Sequence, residues 1–590
     1  MEMNRIYKVF MLAVAALLSG CVSPEKELNP DVDNNTPVVE SLPMLSVFPD
    51  VEITTDKAMY SPGSAVKVMA SAATAGLGVR YWHLGDVIEE SVLDGSKEWT
   101  WNPPATDYKG YYIEIVGKDM TGNLVALAST AVDVSSRWTK FPRYGYLGRF
   151  ENCPSLKRER ILSDLNRHHI NALQYYEWAY DHHHPLCGTP ENPEPVWDKY
   201  LATSKCELEV IQGYIEQAHN YNMVSMFYNL CNGLFEWAEE DGCGSDWYIY
   251  RDRNHQNKVF HPLDVPPFRS NLYQCDPGGE EWLEWIAKQT DDVYKVFDFD
   301  GFHIDQLGNI GTVYDYYGKE VDLPAGYEKF IRKMKEAQPE KYLAFNAVDG
   351  YGQEHIAAAP VDILYNEVWD EHFSAFKRTL DENRKIDPTR NTVIPAYIHD
   401  TNSGYFNTPA VLMLDAVIFA LGGSHLELGE NLISDIYWPA CQLKVTPELE
   451  EALVEYYDFL VGYENLLRDS VKECRVNVSS DEVDICYWVP EQGKVNVYAA
   501  QKSGMMMVHL LNFKDAVHMR WTDKQRDQAE PKWINGFKVT IPCLRKATRV
   551  WTASPDFNEG APIELDFIDN GSTVTVEVPH LKYWTMLVVE

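Results

Sequence analysis

The apolar residues along the chain follow two different spacings, which divide most of the sequence into three regions. From 45 to 135, short β-branched runs are broken by turn signals such as the Ser-Pro-Gly at 61–63, a pattern typical of antiparallel strands. From 471 to 590 the same pattern returns, with runs such as "KVNVYAAQ" and "TVTVEVP" between Gly, Asn and Pro turns. We predict an immunoglobulin-like β domain for the first region and a β-sandwich for the last.

Between them, over 136–470, short apolar runs alternate with segments whose apolar residues recur every three or four positions. Leu208, Ile211 and Ile215 show this helical spacing. Thr-Pro pairs at 408 and 446 each put a capping residue before a proline, which predicts two helix starts. The predicted strands are 145–150, 170–176, 223–229, 301–305, 342–346, 361–367, 392–398 and 424–429.

Eight strands that alternate with helices predict a (β/α)8 barrel, so the expected fold is a multidomain protein with a central TIM barrel between two β regions. A doubly wound parallel sheet is the alternative. It has less support, because no glycine-rich phosphate loop follows a predicted strand.

The chain begins with the pattern of an export signal. Arg5 and Lys8 precede an apolar stretch that is too short to span a bilayer comfortably. The stretch ends in Leu-Ser-Gly-Cys, which resembles a bacterial lipobox, so residues 1–20 are predicted to be a lipoprotein signal peptide and Cys21 the lipidated residue. An ordinary signal peptide with a chance cysteine is the alternative. Residues 21–44, rich in Pro, Asn and acidic side chains, are predicted to be a flexible tether.

Composition narrows the partners of the rest of the chain. The net charge of −36 over 590 residues argues against nucleic acid or anionic lipid as a partner, because phosphate binding needs a basic surface. Aromatic residues make up 13%, which suits stacking on sugar faces as well as the filling of a large core. The 11 cysteines contain no CxxC pair, so spacing assigns no disulfide, and buried free thiols are at least as well supported.

These observations define where and how the protein is expected to work. We expect an exported bacterial lipoprotein at the cell surface (outer membrane) or in the periplasm, which touches the membrane only through the lipid at Cys21. We further expect a monomer that acts on a neutral substrate without a metal or other cofactor.

Two carboxylates stand at the ends of predicted barrel strands, where active sites of this fold lie. Asp305 ends the fourth predicted strand and Glu367 ends the sixth. Facing one another across a barrel mouth, they could cleave a glycosidic bond, one as nucleophile or base and the other as acid. From spacing alone, a helix cap or a salt bridge at the rim stays open as the alternative for each.

Other strand ends carry candidates for substrate binding. In "LQYYEWAYDHHHPL", at 173–186, three consecutive His suggest zinc, but adjacent residues alternate in direction and no second ligand cluster lies nearby. Sugar stacking and hydrogen bonding to hydroxyl groups is the favoured interpretation, and loop packing is the alternative. The predicted substrate-binding residues are Tyr175, Trp178, Tyr180, His182, Tyr228, Asn229, His303, Gln306, Asn346, Trp369, Tyr397 and Glu427. The long loop over 230–275 is expected to shape the cleft.

Four motifs resemble those of one family. "DGFHIDQLG" resembles the nucleophile segment of glycoside hydrolase family 66, the dextranases and cycloisomaltooligosaccharide glucanotransferases, and "YNEVWD" resembles its acid/base segment, in the expected order. The stretch at 173–186 resembles the aromatic and His-rich segment at the family's second strand, and "MFYNL" at 226–230 resembles its third-strand Tyr-Asn. The resemblance covers the barrel, and the flanking β regions fit the family's architecture.

The resemblance implies that Asp305 is the nucleophile and Glu367 the general acid/base of a retaining double displacement. It also implies endo-cleavage of α-1,6-linked glucan, that is dextran, to isomaltooligosaccharides. The cyclising members resemble one another in a long carbohydrate-binding insertion, for which the barrel region here has little room. A dextranase is therefore expected, with a glucanotransferase as the alternative. A non-catalytic glycan-binding surface lipoprotein is a further alternative, but it would be expected to lack one carboxylate, and both are present.

Overall fold

The computed structural model describes residues 38–200, 204–399, 403–430, 432, 442–543 and 545–590. The predicted signal peptide, Cys21 and most of the predicted tether lie outside the described residues. The helices in these ranges are Ser155–Arg167 (α1), Leu208–Asn220 (α2), Glu280–Val296 (α3), Leu323–Ala337 (α4), Gln353–Ala358 (α5), Ser374–Ile386 (α6), Thr408–Ala420 (α7), Pro447–Gly462 (α8) and Glu464–Leu467 (α9). Within the described ranges, none of them combines the length and apolarity that crossing a bilayer requires.

Eight short parallel strands form the centre of the molecule, and each overlaps a predicted strand. They are Tyr144–Leu147 (β1), Ala172–Tyr175 (β2), Val224–Leu230 (β3), Gly301–Asp305 (β4), Tyr342–Phe345 (β5), Leu364–Tyr365 (β6), Thr392–Pro395 (β7) and Ser424–Leu426 (β8). Strands β1 to β5 pair in chain order, and so do β6 to β8. A doubly wound sheet would reverse its order at a switch point, so the alternative fold is not observed.

Two contacts join the sheet of five strands to the sheet of three. Asn346, after β5, forms a parallel bridge with Tyr365 of β6. At the other edges, the Tyr146 N–H of β1 donates a hydrogen bond of 3.0 Å to the Leu428 carbonyl after β8. Among the described residues, strand pairing gives two sheets and not one closed ring.

Side-chain alternation along the strands sorts residues between an inner cluster and the helices. Seven of the eight strands contribute to one buried cluster, which contains Trp138, Tyr144, Tyr146, Ala172, Met226, Ala344, Ile363, Tyr365, Val393 and Leu426. The remaining strand, β4, points His303 and Asp305 to the same side, whereas Phe302 and Ile304 pack in the cluster that includes the helices. Because both faces are buried, these strands are largely apolar runs.

The two predicted helix starts differ in outcome. Thr446 is the N-cap of α8, and its hydroxyl accepts a hydrogen bond of 3.2 Å from the Leu449 N–H, as predicted. The prediction for Thr408 was wrong by one residue. Asn407 is the N-cap of α7, and its side chain makes no capping bond; its Nδ2 group donates to the Asp523 carboxylate.

Antiparallel strands precede the parallel strands, as the sequence predicts. They form a sheet of three strands (Ile53–Thr55, Val66–Ala70, Glu98–Trp101) and a sheet of four (Gly78–His83, Asp86–Val92, Lys109–Lys118, Leu124–Val134). Side chains of both sheets share one core. The immunoglobulin-like topology and the domain boundaries stay predictions.

A second pair of sheets follows the parallel strands. The larger sheet contains Lys472–Glu473, Ile485–Tyr487, Val495–Lys502, Met505–Asn512, Val550–Ala553, Ile563–Glu564 and Trp584–Val589, and the smaller contains Ile534–Pro542, Phe567–Asp569 and Thr573–Leu581. Their facing side chains again form a core. Short strands in the loops are Gly188–Thr189, Asn192–Pro193, Val196–Asp198, Lys205–Glu207, Gly233–Leu234, Phe260–His261, Leu272–Gln274, Ser403–Tyr405 and Gln442–Lys444.

Arg143, which lies between the first β region and strand β1, forms buried ion pairs. The Arg143 guanidinium, fully buried just before β1, lies 2.8 Å from the Asp133 carboxylate and 3.4 Å from that of Glu464. Removing one partner of such a pair would strand a buried charge. The pair with Asp133 therefore links the first β region to the segment just before β1.

Candidate active site

One amide side chain brings the two predicted catalytic carboxylates together. The Asn346 Nδ2 group, at the end of β5, donates a hydrogen bond of 2.8 Å to Asp305 Oδ1 and another of 2.8 Å to Glu367 Oε2. These two oxygens can therefore be no more than about 5.6 Å apart, twice 2.8 Å. Asp305 ends β4 and Glu367 follows β6, so three neighbouring strand ends build the site.

Asp305 is half-buried and accepts hydrogen bonds from three directions. Besides Asn346, the Tyr228 hydroxyl donates to Oδ2 and the Gln306 N–H donates to Oδ1, each at 2.8 Å. Burial raises the pKa of Asp305, and the bonds from Tyr228 and Asn346 oppose this rise. These donors stabilise the ionised form, which a nucleophile requires.

Glu367 is more enclosed, with only 9% of its surface exposed. Burial, together with the negative charge of Asp305, raises the pKa of Glu367 to about 7, although hydrogen bonds from Asn346 and Tyr397 oppose the rise. Next to it, the Trp369 side chain is 46% exposed and its ring lies 5.2 Å from that of Tyr397. The more deeply buried carboxyl of the pair is thus the one that keeps its proton near neutral pH.

Aromatic rings and a neutral histidine form the floor beneath the carboxylates. The His303 ring, two residues before Asp305, lies 4.6 Å from that of Tyr365 and stacks with that of Tyr228 at 6.0 Å. Its Nδ1 is 3.2 Å from the Tyr144 hydroxyl. Burial lowers the pKa of His303 to about 3, so the ring is uncharged. His303 was predicted to bind substrate; it is 1% exposed and supports Tyr228 instead.

A third carboxyl, which the sequence analysis missed, lies in the same site. Glu177 follows β2 with φ 51°, an uncommon backbone conformation for a residue other than glycine, and it is 6% exposed. Its side chain is hydrogen-bonded to Tyr228. Burial raises the pKa of Glu177 to about 8; the Lys199 ammonium opposes this rise and the Asp305 charge adds to it. The preceding residue, Tyr176, is half-buried with its ring 4.7 Å from that of Tyr228.

The signal that could have found Tyr176, but not Glu177, is strand alternation. If the side chain of one residue points towards the helices, that of the next points inward. Tyr175 packs against Phe150 and Phe299 on the helix side, which assigns Tyr176 to the inside. The left-handed backbone at Glu177 then breaks the alternation, and no residue type in the sequence announces that break.

The predictions for Tyr175 and Trp178 were therefore wrong. Both side chains are 0% exposed. The Trp178 ring packs against Phe227, Phe297 and Phe299, and its indole N–H donates to the Tyr228 carbonyl. They belong to the core between strands and helices and cannot stack on a sugar. Tyr180 is half-buried, and the Arg269 guanidinium covers its ring at 4.5 Å.

His182, Asn229 and Gln306 were predicted to bind substrate, but their side chains are buried and form hydrogen bonds within the protein. His182 and Asn229, 2% and 1% exposed, bond to one another at 2.7 Å behind the end of β3. The side chain of Gln306 donates to the Asn346 carbonyl and accepts from Gly308 N and the Tyr327 hydroxyl. Gln306 contacts the catalytic carboxylates only through its backbone N–H, which donates to Asp305 Oδ1.

Glu427 was also predicted to bind substrate, and the structure contradicts this. Leu426 of β8 points to the inner cluster, so the residues on either side of it, His425 and Glu427, point towards the helices. Glu427 is 2% exposed, lies 3.3 Å from His425 Nδ1 and accepts a hydrogen bond from the Tyr457 hydroxyl. His425 in turn bonds to Asp415 of α7 at 2.8 Å.

Three groups in the described ranges have the residue types that could hold a metal ion. They are Asp181, His183 and Asp241; Asp415, His425 and Glu427; and His518, Asp523 and Asp527. None contains Asp305 or Glu367. In the first group the Arg269 guanidinium lies 2.9 Å from Asp181, so a positive charge already occupies one side of that carboxylate.

Two close carboxyl groups at the ends of parallel strands, one of them with a pKa raised to about 7 by burial and by the charge of the other, are the apparatus of an enzyme that cleaves glycosidic bonds. The comparison with known families agrees. The family described as Glycosyl hydrolase family 66 matches residues 55–588, so the chain belongs to this family and is a glycoside hydrolase. The resemblance drawn from the sequence motifs is confirmed.

Relatives of the chain carry two different names. A cycloisomaltooligosaccharide glucanotransferase of Niallia circulans is 23% identical, over 90% of this chain and 71% of that protein. A dextranase of Streptococcus salivarius is also 23% identical, over 85% of this chain and 69% of that protein. The crystal structure of a Paenibacillus sp. cycloisomaltooligosaccharide glucanotransferase complexed with cycloisomaltoheptaose superposes with a TM-score of 0.82 at 22% identity, over 91% of this chain and 100% of that chain. At this identity the likeness establishes the fold alone.

Proposed function

We propose that the protein is a retaining, endo-acting glycoside hydrolase that cleaves α-1,6-glucosidic linkages of dextran to isomaltooligosaccharides. Asp305 is the nucleophile and Glu367 the general acid/base. The observation that carries the proposal is the Asn346 bridge, because it holds the carboxyl oxygens within about 5.6 Å of one another. Retaining enzymes need about 5–5.5 Å between the carboxyl groups, whereas inverting enzymes need about 6.5–9.5 Å to admit a water.

In the first step, the Asp305 carboxylate attacks the anomeric carbon while Glu367 donates its proton to the departing glycosidic oxygen. A pKa of about 7 lets Glu367 hold that proton near neutral pH. The step converts Asp305 into an uncharged ester. Since the Asp305 charge is one cause of the raised pKa of Glu367, its loss lowers that pKa.

In the second step, Glu367 is therefore ready to act as a base. It removes a proton from an incoming water, which attacks the anomeric carbon and releases Asp305. The restored charge of Asp305 returns Glu367 to its protonated form. Asn346, bonded to both carboxyl groups in the resting site, holds them in position through the cycle.

The ligand class is supported by the names of the relatives and by the exposed Trp369 ring near Glu367, which could stack on a glucose unit. The test is digestion of dextran followed by NMR spectroscopy of the fresh products and by sizing. Isomaltooligosaccharides that appear first as the α-anomer are expected. Products that appear first as the β-anomer would indicate inversion and contradict the assigned roles.

A cycloisomaltooligosaccharide glucanotransferase is the second candidate, because the Niallia circulans relative bears that name. Both activities share the first step and differ in what attacks the intermediate. We favour hydrolysis because the region 136–470 has little room for the long insertion that the family resemblance implies for cyclising members. Mass spectrometry separates the two, since a cyclic product is lighter by one water than the linear oligosaccharide of the same length.

We further propose that the eight parallel strands close into a (β/α)8 barrel. The bridge between Asn346 and Tyr365 and the hydrogen bond from Tyr146 to Leu428 support closure at both seams. So does the inner cluster, to which seven strands contribute. An experimental structure that left β1 and β8 unpaired would contradict it.

We also propose that the mature protein is a lipoprotein anchored through Cys21, at the outer membrane or in the periplasm, and otherwise a monomer. The support is the Leu-Ser-Gly-Cys motif after a short apolar stretch. Metabolic labelling with a palmitate analogue should mark the protein in cells. The Cys21→Ala variant should lose the label, and labelling that survives this change would contradict the anchor site.

A further inference from the structure

A shallow groove of about 700 Å³ lies against helix α3, outside the candidate active site. Its main lining residues are Trp247, Trp285, Glu280, Glu281, Glu284 and Lys333. None of them contributes to the site around Asp305 and Glu367. The volume falls within the range of about 300–1,000 Å³ that is typical of ligand sites.

Two tryptophans give the groove fixed aromatic surfaces. Trp247 and Trp285 are both half-buried, with ring centroids 5.9 Å apart and ring planes at 61°. The Trp247 indole N–H donates to Glu281 at 2.9 Å, and that of Trp285 donates to the His183 carbonyl at 2.8 Å. The N–H groups are satisfied within the protein, so what the indoles offer to a ligand is their apolar ring surface.

Three of the four charged side chains of the groove, Glu281, Glu284 and Lys333, have partners within the protein. Glu281 accepts the bond from Trp247, and Glu284 forms an ion pair with Lys333. Three carboxylates and one ammonium disfavour an anionic ligand, and a purely apolar ligand would desolvate them without compensation. A neutral ligand with many hydroxyl groups fits both features, because it can stack on the rings and donate to the carboxylates.

We propose that this groove is a second, non-catalytic binding site for a glucan chain. The identity of the glucan as dextran rests on the proposed function; the existence of the site rests on the groove itself. Helix α3 connects the two places, since its Trp282 donates to the Cys231 carbonyl and the Cys231 N–H donates to the Asp305 carbonyl. A long chain held at the groove raises the local concentration of bonds to be cleaved, whereas a short oligosaccharide gains nothing.

Affinity electrophoresis in gels that contain dextran tests binding without cleavage, if every protein carries Asp305→Asn. In this background Trp247→Ala should weaken binding about three- to tenfold, the loss of one aromatic contact. The exposed Glu280→Arg tests the groove again with little effect on folding. The matched control is Trp533→Ala in the last β region, where a tryptophan of 43% exposure lies under the Lys582 ammonium. It should bind as its parent does.

Kinetics of the otherwise unchanged enzyme give the second readout. Trp247→Ala should raise the KM for long dextran about three- to tenfold and leave kcat/KM for a short isomaltooligosaccharide unchanged. Dextran binding equal to that of the parent in both groove variants would overturn the proposal. So would a groove that binds oligolysine and not dextran. If the intact enzyme cleaved no dextran but Trp247→Ala still lost binding, the proposed function would fail and the groove site would stand.

Discussion

Two clusters that each contain one aspartate and one glutamate have opposite environments: one opens at the ends of β4, β5 and β6, and the other is sealed between β8 and helix α7. In the open cluster, Asn346 bridges the carboxyl groups of Asp305 and Glu367. In the sealed cluster, His425 lies 2.8 Å from Asp415 and 3.3 Å from Glu427, and all three side chains are at most 2% exposed. Each cluster thus consists of two carboxyl groups joined by one nitrogen-containing side chain.

The side chain between the two carboxyl groups determines which groups of a cluster are protonated. Burial opposes the charge on His425, but the carboxylate of Glu427 and the bond to Asp415 outweigh it and raise the pKa of His425 to about 10. Burial and the charge of Glu427 raise the pKa of Asp415 well above its usual range. Burial also opposes the charge on Glu427, but the charge and the hydrogen bond of His425 outweigh it and lower the pKa of Glu427. These directions favour a cationic His425, an anionic Glu427 and a protonated Asp415. In the open cluster the bridging side chain, Asn346, is uncharged, so it forms no ion pair with either carboxyl group. The proton on Glu367 is therefore available for transfer to the substrate.

The largest expected effect separates the two aspartates. Asp305→Asn removes the nucleophile and should lower kcat/KM on dextran roughly 10⁴-fold or more. Asp415→Asn copies the protonated form that the sealed cluster already holds, so kcat/KM should stay within about threefold of the parent. Initial rates on dextran check both. Near-normal activity of Asp305→Asn would contradict the nucleophile role and favour a structural one for Asp305, such as a helix cap.

The next effect separates the two steps of the reaction. Glu367→Gln should lower the rate on dextran by about 10²–10⁴, and much less on an aryl glycoside whose leaving group needs no proton. Added azide needs no general base, so it should restore turnover and yield the α-glycosyl azide. With Asp305→Gly, azide occupies the vacated nucleophile site and should yield the β-anomer. The same anomer from both variants would contradict the assignment of roles.

In the sealed cluster, the same Glu→Gln substitution should lower the free energy of unfolding and leave catalysis unchanged. Glu427→Gln removes the anion of a buried ion pair, a loss that costs about 3–5 kcal/mol of unfolding free energy when no other partner is present; Asp415, 2.8 Å from His425, offsets part of this cost by ionising. Denaturant unfolding measures this loss. The kcat/KM of the folded fraction should equal that of the parent. A stable Glu427→Gln protein with altered KM would restore the substrate-binding role that the sequence suggested.

The smallest expected effect is a shift of the pH profile. Glu367 must be protonated in the first step, so kcat/KM should fall as the pH rises through about 7. The Tyr397 hydroxyl lowers the pKa of Glu367 by bonding to its charged form, so Tyr397→Phe should move this alkaline limb to higher pH. Tyr457→Phe is the matched control, because Tyr457 bonds to Glu427 of the sealed cluster. A shift in the control, or none with Tyr397→Phe, would contradict the assignment of this limb to Glu367.

The sequence by itself determined the alternation of strands and helices and the positions of Asp305 and Glu367. Strand ends, capping signals such as Thr446 and family motifs depend on short stretches of chain, and short stretches are what a sequence displays. It also placed Asn346 and Tyr228 among the candidates, at the ends of β5 and β3.

Only the tertiary structure decided which side each strand-end residue faces and what it contacts there. Trp178 and Glu427 stand at strand ends like Asp305, but they point towards the helices and are buried. Glu177 reaches the site because its backbone turns into a left-handed conformation that the sequence does not signal. The physical reason is that alternation has a period of two, so a shift of one residue reverses the facing, and bounds read from sequence are rarely that precise.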